Sequence, residues 1–450
     1  MHRCIGRQEA AIDIKHREET KEEQKLTTET INDYISILRE ELVPATGCTE
    51  PIALAYAAAR LRDILGAAPE GIRAEISGNI IKNVKSVVVP NTGGRKGIPA
   101  AIAAGVVAGD ASKVLQCIAR VPAEKQGEIA AYAQNASMEI VCAHTSRLLD
   151  IRLTGRAGEH AALVHIANSH SNIVREEKDG EVLFQRPLTD SAEDSLTDKS
   201  ALNVADILEF ADTIDLEEVA PLLGQQVDCN TAIAREGLKN SWGANIGSVL
   251  LTDYSDDIKT EAKAWAAAGS DARMSGCELP VVILSGSGNQ GITASVPVVR
   301  YAMHLGADRE KLYRALLVSD LVTIHQKSGI GRLSAYCGAV SAGVGAGAGI
   351  AYLLDGSYEA IAHTIVNAVA IISGTICDGA KPSCAAKIAA SVDAGILGYH
   401  MYKNHQEFKS GDGIVTKGVD NTIANIGVLA KEGMLQTDRT ILAIMTERCD

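Results

Sequence analysis

Aromatic residues are scarce in this chain, 4% in all with two Trp and three Phe, so the interior must be filled by Ala, Gly, Val, Ile and Leu. Small side chains let backbones approach, which favours closely packed helices over aromatic-rich sandwiches. No stretch concentrates Lys and Arg with interleaved aromatics, and 56 acidic against 43 basic residues leave a formal charge of −13. Nucleic acid is therefore not an expected partner. Residues 1–26 are charged and lack an apolar core of signal-peptide length, so the expected location is cytoplasmic. Long apolar runs are also nearly missing. The one tract of membrane-span length, residues 333–354, is rich in Gly, Ala and Ser and flanked by Arg332 and Asp355. Such weak hydrophobicity predicts a buried helix and no membrane contact. There is no CxxC and no ferredoxin-type cysteine spacing, which argues against the common zinc and two-cluster sites.

With 450 residues, 46% of them hydrophobic, the chain is long enough for two or three domains and a large core. The pattern predicts an α+β protein: a mixed α/β N-terminal region, then a large all-helical, Gly/Ala-rich domain. Residues 1–27 read as a charged, disordered tail. Residues 28–42 space Ile31, Tyr34, Ile35, Ile37, Leu38 and Leu42 as an amphipathic helix that stops at Pro44. PATGCTEP, residues 44–51, then reads as a short loop before a helix over 52–65 opened by Pro51. From 71 to 184, β-like runs (IRAEIS, KSVVVP, MEIVCAH, LLDIRLTG, AALVHIA, GEVLF) mix with helical segments at 98–108, 110–119 and 123–136. The polar stretch 186–200 marks the end of this unit, which spans 28–200. From 201 to 450 the pattern is helical, broken by Gly-rich turns at 285–291, 328–331, 342–349 and 374–379.

Ten cysteines that do not form a secreted disulfide framework raise the question of ligation or catalysis. Between Cys377 and Cys384, Gly379 and Pro382 forbid one continuous helix. They predict a loop and a new helix opening around Pro382 and Ser383, with Cys384 in its first turn, where free N–H groups favour a thiolate. Two thiolates on a tight loop suit a soft metal, although buried cysteines also simply pack. Cys337 heads the Gly/Ala-rich run. Three such thiolates can hold a [4Fe-4S] cluster and leave one iron open as a Lewis acid.

Cys48 stands just before a helix start, where the dipole can lower its pKa below about 8.5 and make it a base or nucleophile; a packing role explains the position equally well. LSGSGNQGITASVP, residues 284–297, presents Ser285, Ser287, Asn289 and Gln290 on a glycine-rich turn. Its backbone amides can bind a carboxylate or phosphate, or the turn can only connect. Lys82, Arg95 and Lys96 surround a second Gly-rich turn and offer either carboxylate recognition or a solvated cluster. His160, His165 and His170 recur every five residues, on one face of neither strand nor helix, and read as structural.

On these residues the chain resembles the L-cysteine desulfidase family, relatives of the α chain of iron-sulfur L-serine dehydratases, from about residue 31 to about residue 440. The likeness rests on PATGCTEP, on NIIKN followed by KGIPAA, on SGSGNQGITASVP and on the spacing of Cys337, Cys377 and Cys384. It implies that these three cysteines ligate a [4Fe-4S] cluster and that Cys48 is a catalytic base or proton donor. Thr46, Ser285, Ser287 and Asn289 are the expected substrate contacts. The serine dehydratases space their last two ligands further apart and lack PATGCTEP, which favours cysteine over serine. Two features depart from the family pattern: the N-terminal extension with Cys4, and the tail TERCD with Cys449. In iron-sulfur serine dehydratases a C-terminal cysteine can cap the open iron, so the same role for Cys449 is weighed against a plain mobile tail.

The resemblance implies β-elimination of an amino-acid substrate: L-cysteine to hydrogen sulfide, pyruvate and ammonia. An iron-sulfur L-serine dehydratase and a non-catalytic iron-sulfur redox sensor are the alternatives, and a homo-oligomer is left open. A pyridoxal-phosphate lyase is suggested by SGNQG, but Lys259 and Lys263 lie in a plain charged helix without the small-residue surroundings of a Schiff-base lysine.

Overall fold

The computed structural model describes residues 26–145, 147–188, 197–331 and 334–445. Most of the expected tail, the centre of the 186–200 boundary, Cys4 and Cys449 lie outside the described residues. The chain is mixed α/β, with its main sheet in the N-terminal part and a mostly helical C-terminal part.

Helix α1 (Thr28–Glu41) opens at Thr27, whose hydroxyl accepts from the Thr30 N–H, and buries Tyr34, Ile35, Ile37 and Leu38. These side chains pack with Phe210 and the helical half, although α1 adjoins the sheet unit in sequence. Strand β1 (Val43–Thr46) then pairs antiparallel with β8 (Pro280–Ile283). The N-terminal half of PATGCTEP is thus a strand and not the expected loop; its partner lies more than 230 residues away, so no local pattern could show the pairing. Helix α2 (Thr49–Leu65) ends at Gly66, in the left-handed region at φ 79°.

The main sheet begins at β2 (Gly71–Ile76), which is followed by α3 (Gly78–Val84), α4 (Gly97–Ala108) and α5 (Lys125–Asn135). It continues with β3 (Ser137–Cys142), β4 (Asp150–Ala157), β5 (His160–Ala167), β6 (Ile173–Lys178) and β7 (Glu181–Gln185). The order is β3-β2-β4-β5-β6-β7, with β2 and β3 parallel and the other neighbours antiparallel. One face, with Ile151, Leu153, Val164 and Ile166, packs against α2, which in turn packs against α4. Three expected elements differ. Residues 342–349, expected as a Gly-rich turn, are continuous buried helix, because their small side chains serve close helix packing and not a break. KSVVVP contributes only an isolated bridge, Val88 with Lys96. The helix expected at 110–119 is a short 3-10 segment kinked at Val114, whose φ of 48° and ψ of −112° no helix accommodates.

The second half comprises α6 (Val204–Thr213), α7 (Ala220–Lys239), α8 (Ile246–Asp253) and α9 (Ile258–Met274), then β8, α10 (Gly288–Leu305) and α11 (Arg309–Ile330). It ends with α12 (Gly338–Leu354), α13 (Tyr358–Ile372), α14 (Cys384–Lys403), α15 (Val419–Val428) and α16 (Leu435–Met445). The scarcity of aromatics takes physical form in α12, which is buried from Ala339 to Tyr352 and lies against α14 so closely that a Cβ on Gly347 would stand 2.7 Å from the Gly395 Cα. Among the described residues no helix is long and apolar enough to cross a membrane.

Candidate active site

Four helix starts meet around one cavity of about 110 Å³. Cys48 is the N-cap of α2, Ser287 of α10 and Cys337 of α12, while Cys384 is the first residue of α14. None of these helices has a side-chain capping hydrogen bond, so their first N–H groups leave a positive potential around the cavity. Helix α3 lies alongside and contributes Asn79, Lys82 and Asn83 to the lining.

All three expected ligand cysteines line this cavity. Cys337 and Cys377 are joined by a bridge between Tyr336 and Ile376, in which the Cys337 N–H donates to the Thr375 carbonyl at 3.0 Å and the Cys377 N–H to the Ala335 carbonyl at 2.6 Å. The two thiols are close neighbours that favour a single shared proton: Cys377, with Lys82 beside it, is lowered against the opposing effect of burial, and Cys337, coupled to it and buried, is raised above the ordinary thiol range. Cys384 is raised chiefly by burial, and its Sγ lies 3.7 Å from the Gly379 carbonyl. The break foreseen at Gly379 is present: its φ is 92°, and a Cβ there would stand 2.5 Å from the Lys82 carbonyl. Among the described residues no three His, Cys, Asp or Glu side chains are grouped to hold a single metal ion.

Cys48 lines the cavity at 1% exposure, with its Sγ 4.0 Å from the Met274 Sδ. Its expected low pKa is corrected. Burial pushes the thiol up to about 12, Glu50 and Cys384 push the same way, and Arg273 only partly offsets them. Desolvation of a thiolate outweighs the helix dipole, so Cys48 is a neutral thiol here.

Of the expected substrate contacts, Ser285, Ser287 and Asn289 line the cavity and Thr46 does not; Thr46 is held in the β1–β8 ladder, and its neighbour Thr49 takes the place at the wall. The turn that carries the two serines is tight, with Ser285 at φ 47° and Gly286 at φ 78°. Arg273 braces it, donating from Nε to the Gly47 carbonyl at 3.1 Å and from Nη1 to Asn289 Oδ1 at 3.2 Å. Of the expected cations only Lys82 lines the cavity; Arg95 folds back onto the Thr92 carbonyl of its own turn. Lys259 and Lys263 pair with Asp257 and Asp393 and do not line it.

One of the three histidines stands apart from the others. His160 pairs with Asp179 and His165 with Asp150, but His170, in the β5–β6 connection, lines the cavity. Its Nε2 is buried without a hydrogen-bond partner, 3.9 Å from Glu50 Oε1. Glu50 accepts from Asn83 Nδ2 at 2.9 Å and from Thr49 Oγ1 at 3.1 Å. Burial alone would raise this carboxyl, but His170, 3.9 Å away, leads a set of effects that hold it at about 2. Glu50 is visible in PATGCTEP only as a letter beside Cys48. His170 carries no local signal, since only the fold brings the two together.

The fold and cavity thus define a mixed α/β protein in which neighbouring thiols, a histidine beside a carboxylate, and the cations Lys82, Arg273 and Lys327 surround one space. Residues 162–443 match the family model for the serine dehydratase alpha chain, and the chain belongs to that family. It is 57% identical to a UPF0597 protein of Desulfitobacterium hafniense (strain Y51), over 92% of this chain and 97% of that one. UPF0597 proteins of Lachnoclostridium phytofermentans and Treponema denticola are 51% and 47% identical, over 91% and 92% of this chain and 98% and 97% of their own lengths. These names support the broader likeness to serine dehydratase alpha chains and do not specify desulfidase activity.

Proposed function

We propose that this protein is an iron-sulfur lyase that carries out β-elimination on a small L-amino acid, with L-cysteine as substrate. The observation that carries the reading is the meeting of Cys337, Cys384 and Cys48, at the uncapped starts of three helices, with Cys377, on the bridge beside Cys337, around one cavity.

The residues fit a [4Fe-4S] group by donor chemistry. Three soft thiols face one space, one of them already favours the thiolate, and Lys82 and helix N–H groups offset negative charge. In such a cluster each thiolate takes a different iron, so a grouping suited to one ion is not required. Cys337, Cys377 and Cys384 would hold the group, which when bound supplies a Lewis-acidic iron for the leaving sulfur.

The chain's own groups divide the remaining work. A base takes the Cα proton, that electron pair forms the Cα–Cβ double bond, and the Cβ–S pair leaves with sulfur. His170 Nε2 takes this proton in the proposal, which its burial without a hydrogen-bond partner supports, and the Glu50 carboxylate steadies the imidazolium that results. Cys48, kept neutral by burial, fits the other role that the family resemblance allows, proton donation to the departing sulfur. Water then hydrolyses the released aminoacrylate, through its imine, to pyruvate and ammonia. The Ser285–Asn289 turn, fixed by Arg273, orients the amino-acid end so that these events occur on one held molecule.

A second reading, elimination of water from L-serine, is favoured by the family match itself. The test is anaerobic purification with assays of sulfide released from L-cysteine and pyruvate formed from L-serine. Faster sulfide release supports the proposal, and pyruvate from serine alone moves the substrate to the hydroxyl amino acid. Bound iron with turnover of neither sinks the lyase reading and leaves the redox-sensor alternative.

A further inference from the structure

Asn79 and Lys82 stand three positions apart on α3, both line the cavity, and both donate to one carboxylate. That carboxylate is Asp438 of α16, more than 350 residues later in the chain. Lys82 Nζ lies 2.6 Å from Asp438 Oδ1, and Asn79 Nδ2 lies 3.3 Å from Oδ2. The two donors therefore engage both oxygens, as a receptor for a free carboxylate would. The Lys82 side chain is 1% exposed, so its charge must be matched in every state of the protein.

Helix α16 is lightly held. It buries only Asp438 and Ile441, while Leu435 and Ile444 are 52% and 72% exposed. Its other tethers lie at its end, where Leu442 packs over Gly78 and Lys85 reaches the Met445 carbonyl. The cavity's arginine is already committed, because Arg273 is spent on Gly47 and Asn289.

We propose that Asn79 and Lys82 are the receptor for the substrate's α-carboxylate, and that Asp438 engages it in the free protein, so that substrate binding and docking of α16 oppose each other. The inference rests on the reading that the ligand is an α-amino acid, and it adds how the carboxylate is recognised and which segment answers to it. An arriving carboxylate shares or takes the Lys82 ammonium, two anions then face each other across one cation, and the weakly packed helix gives way. Asp438 thereby sets a threshold: the site is neutralised when empty, and only a ligand with a carboxylate can exchange for it.

The test is hydrogen exchange of residues 435–445 in the full-length holoenzyme, with L-alanine as an unreactive amino acid and L-alaninamide as its carboxylate-free counterpart. L-Alanine is expected to speed exchange in α16, and L-alaninamide is not. Asp438→Asn leaves Lys82 wanting an anion, so KM for the amino-acid substrate should fall by on the order of tenfold, and L-alanine should raise the variant's Tm more than the parent's. A purely structural ion pair predicts the reverse: L-alanine leaves α16 exchange unchanged, and Asp438→Asn leaves KM unchanged or raises it. If L-alanine raises the parent's Tm and turnover is intact while α16 exchange does not move, this inference alone fails. If no amino acid is turned over and L-alanine does not bind, the inference falls with the functional reading.

Discussion

Cys337 and Cys377 stand side by side because the Tyr336–Ile376 bridge draws together two segments forty residues apart. The neighbouring thiol and Lys82 lower Cys377 against the effect of burial. In metal-free protein, alkylation of Cys377 should therefore show a midpoint below that of an ordinary thiol. In Cys337→Ala the neighbour is lost and the midpoint should move up, as read by mass spectrometry of the Cys377 peptide. An unchanged midpoint would remove Cys337 from the account of the lowered thiol.

His170 and Glu50 form the acid–base pair of the proposed reaction. His170→Gln should lower kcat by about 10²–10⁴-fold while the protein keeps its iron. Glu50→Gln should lower kcat as well, by removing the carboxylate that steadies the charged imidazole. Loss of iron together with activity in His170→Gln would place the histidine in the support of the thiols and not in the chemistry.

Cys48→Ala removes the neutral thiol without touching the other three cysteines. Turnover should fall while iron content and visible absorbance persist. Since the thiol is raised to about 12 by burial, the parent's activity should show no falling limb from Cys48 between pH 6 and 9, a range a kcat profile covers.

Asp320 of α11 carries a stability prediction. It is buried, accepts from Gln226 Nε2 at 2.9 Å through one oxygen, and has no partner for the other. Burial lifts its carboxyl to about 7, the Gln226 bond opposing. The folded state thus holds its proton to a higher pH than the unfolded state, so stability falls as pH rises from about 4 to about 7, by roughly 4 kcal/mol in all. Asp320→Asn cannot ionise, and its Tm relative to the parent should climb across that window. A constant difference would refute the assignment.

Gly347→Ala tests the close approach of α12 and α14. The added methyl would meet the backbone of Gly395 rather than a side chain able to move, so a loss of about 1–3 kcal/mol is expected by denaturant unfolding. A neutral substitution would show that the two helices can separate at little cost.

What the sequence disclosed divides along the range of the interactions. The helix break at Gly379, the start of α14 at Cys384 and the place of Cys337 ahead of the Gly/Ala-rich helix follow from local backbone rules, and so they were legible. The pairing of β1 with β8, the approach of His170 to Glu50 and the reach of Asp438 to Lys82 join residues more than a hundred positions apart, which leaves no periodicity to read. The low pKa expected of Cys48 failed for a different reason: a helix start was visible, and the burial that overrides it was not.

The central claim is that Cys337, Cys377 and Cys384 together hold one iron-sulfur cluster in this cavity. Its most direct test is iron and acid-labile sulfide measured per chain in anaerobically purified protein, beside Cys377→Ser prepared identically. The account predicts about four of each per parent chain and their loss in the variant, together with turnover. Parent protein that turns over L-cysteine while free of iron would contradict it.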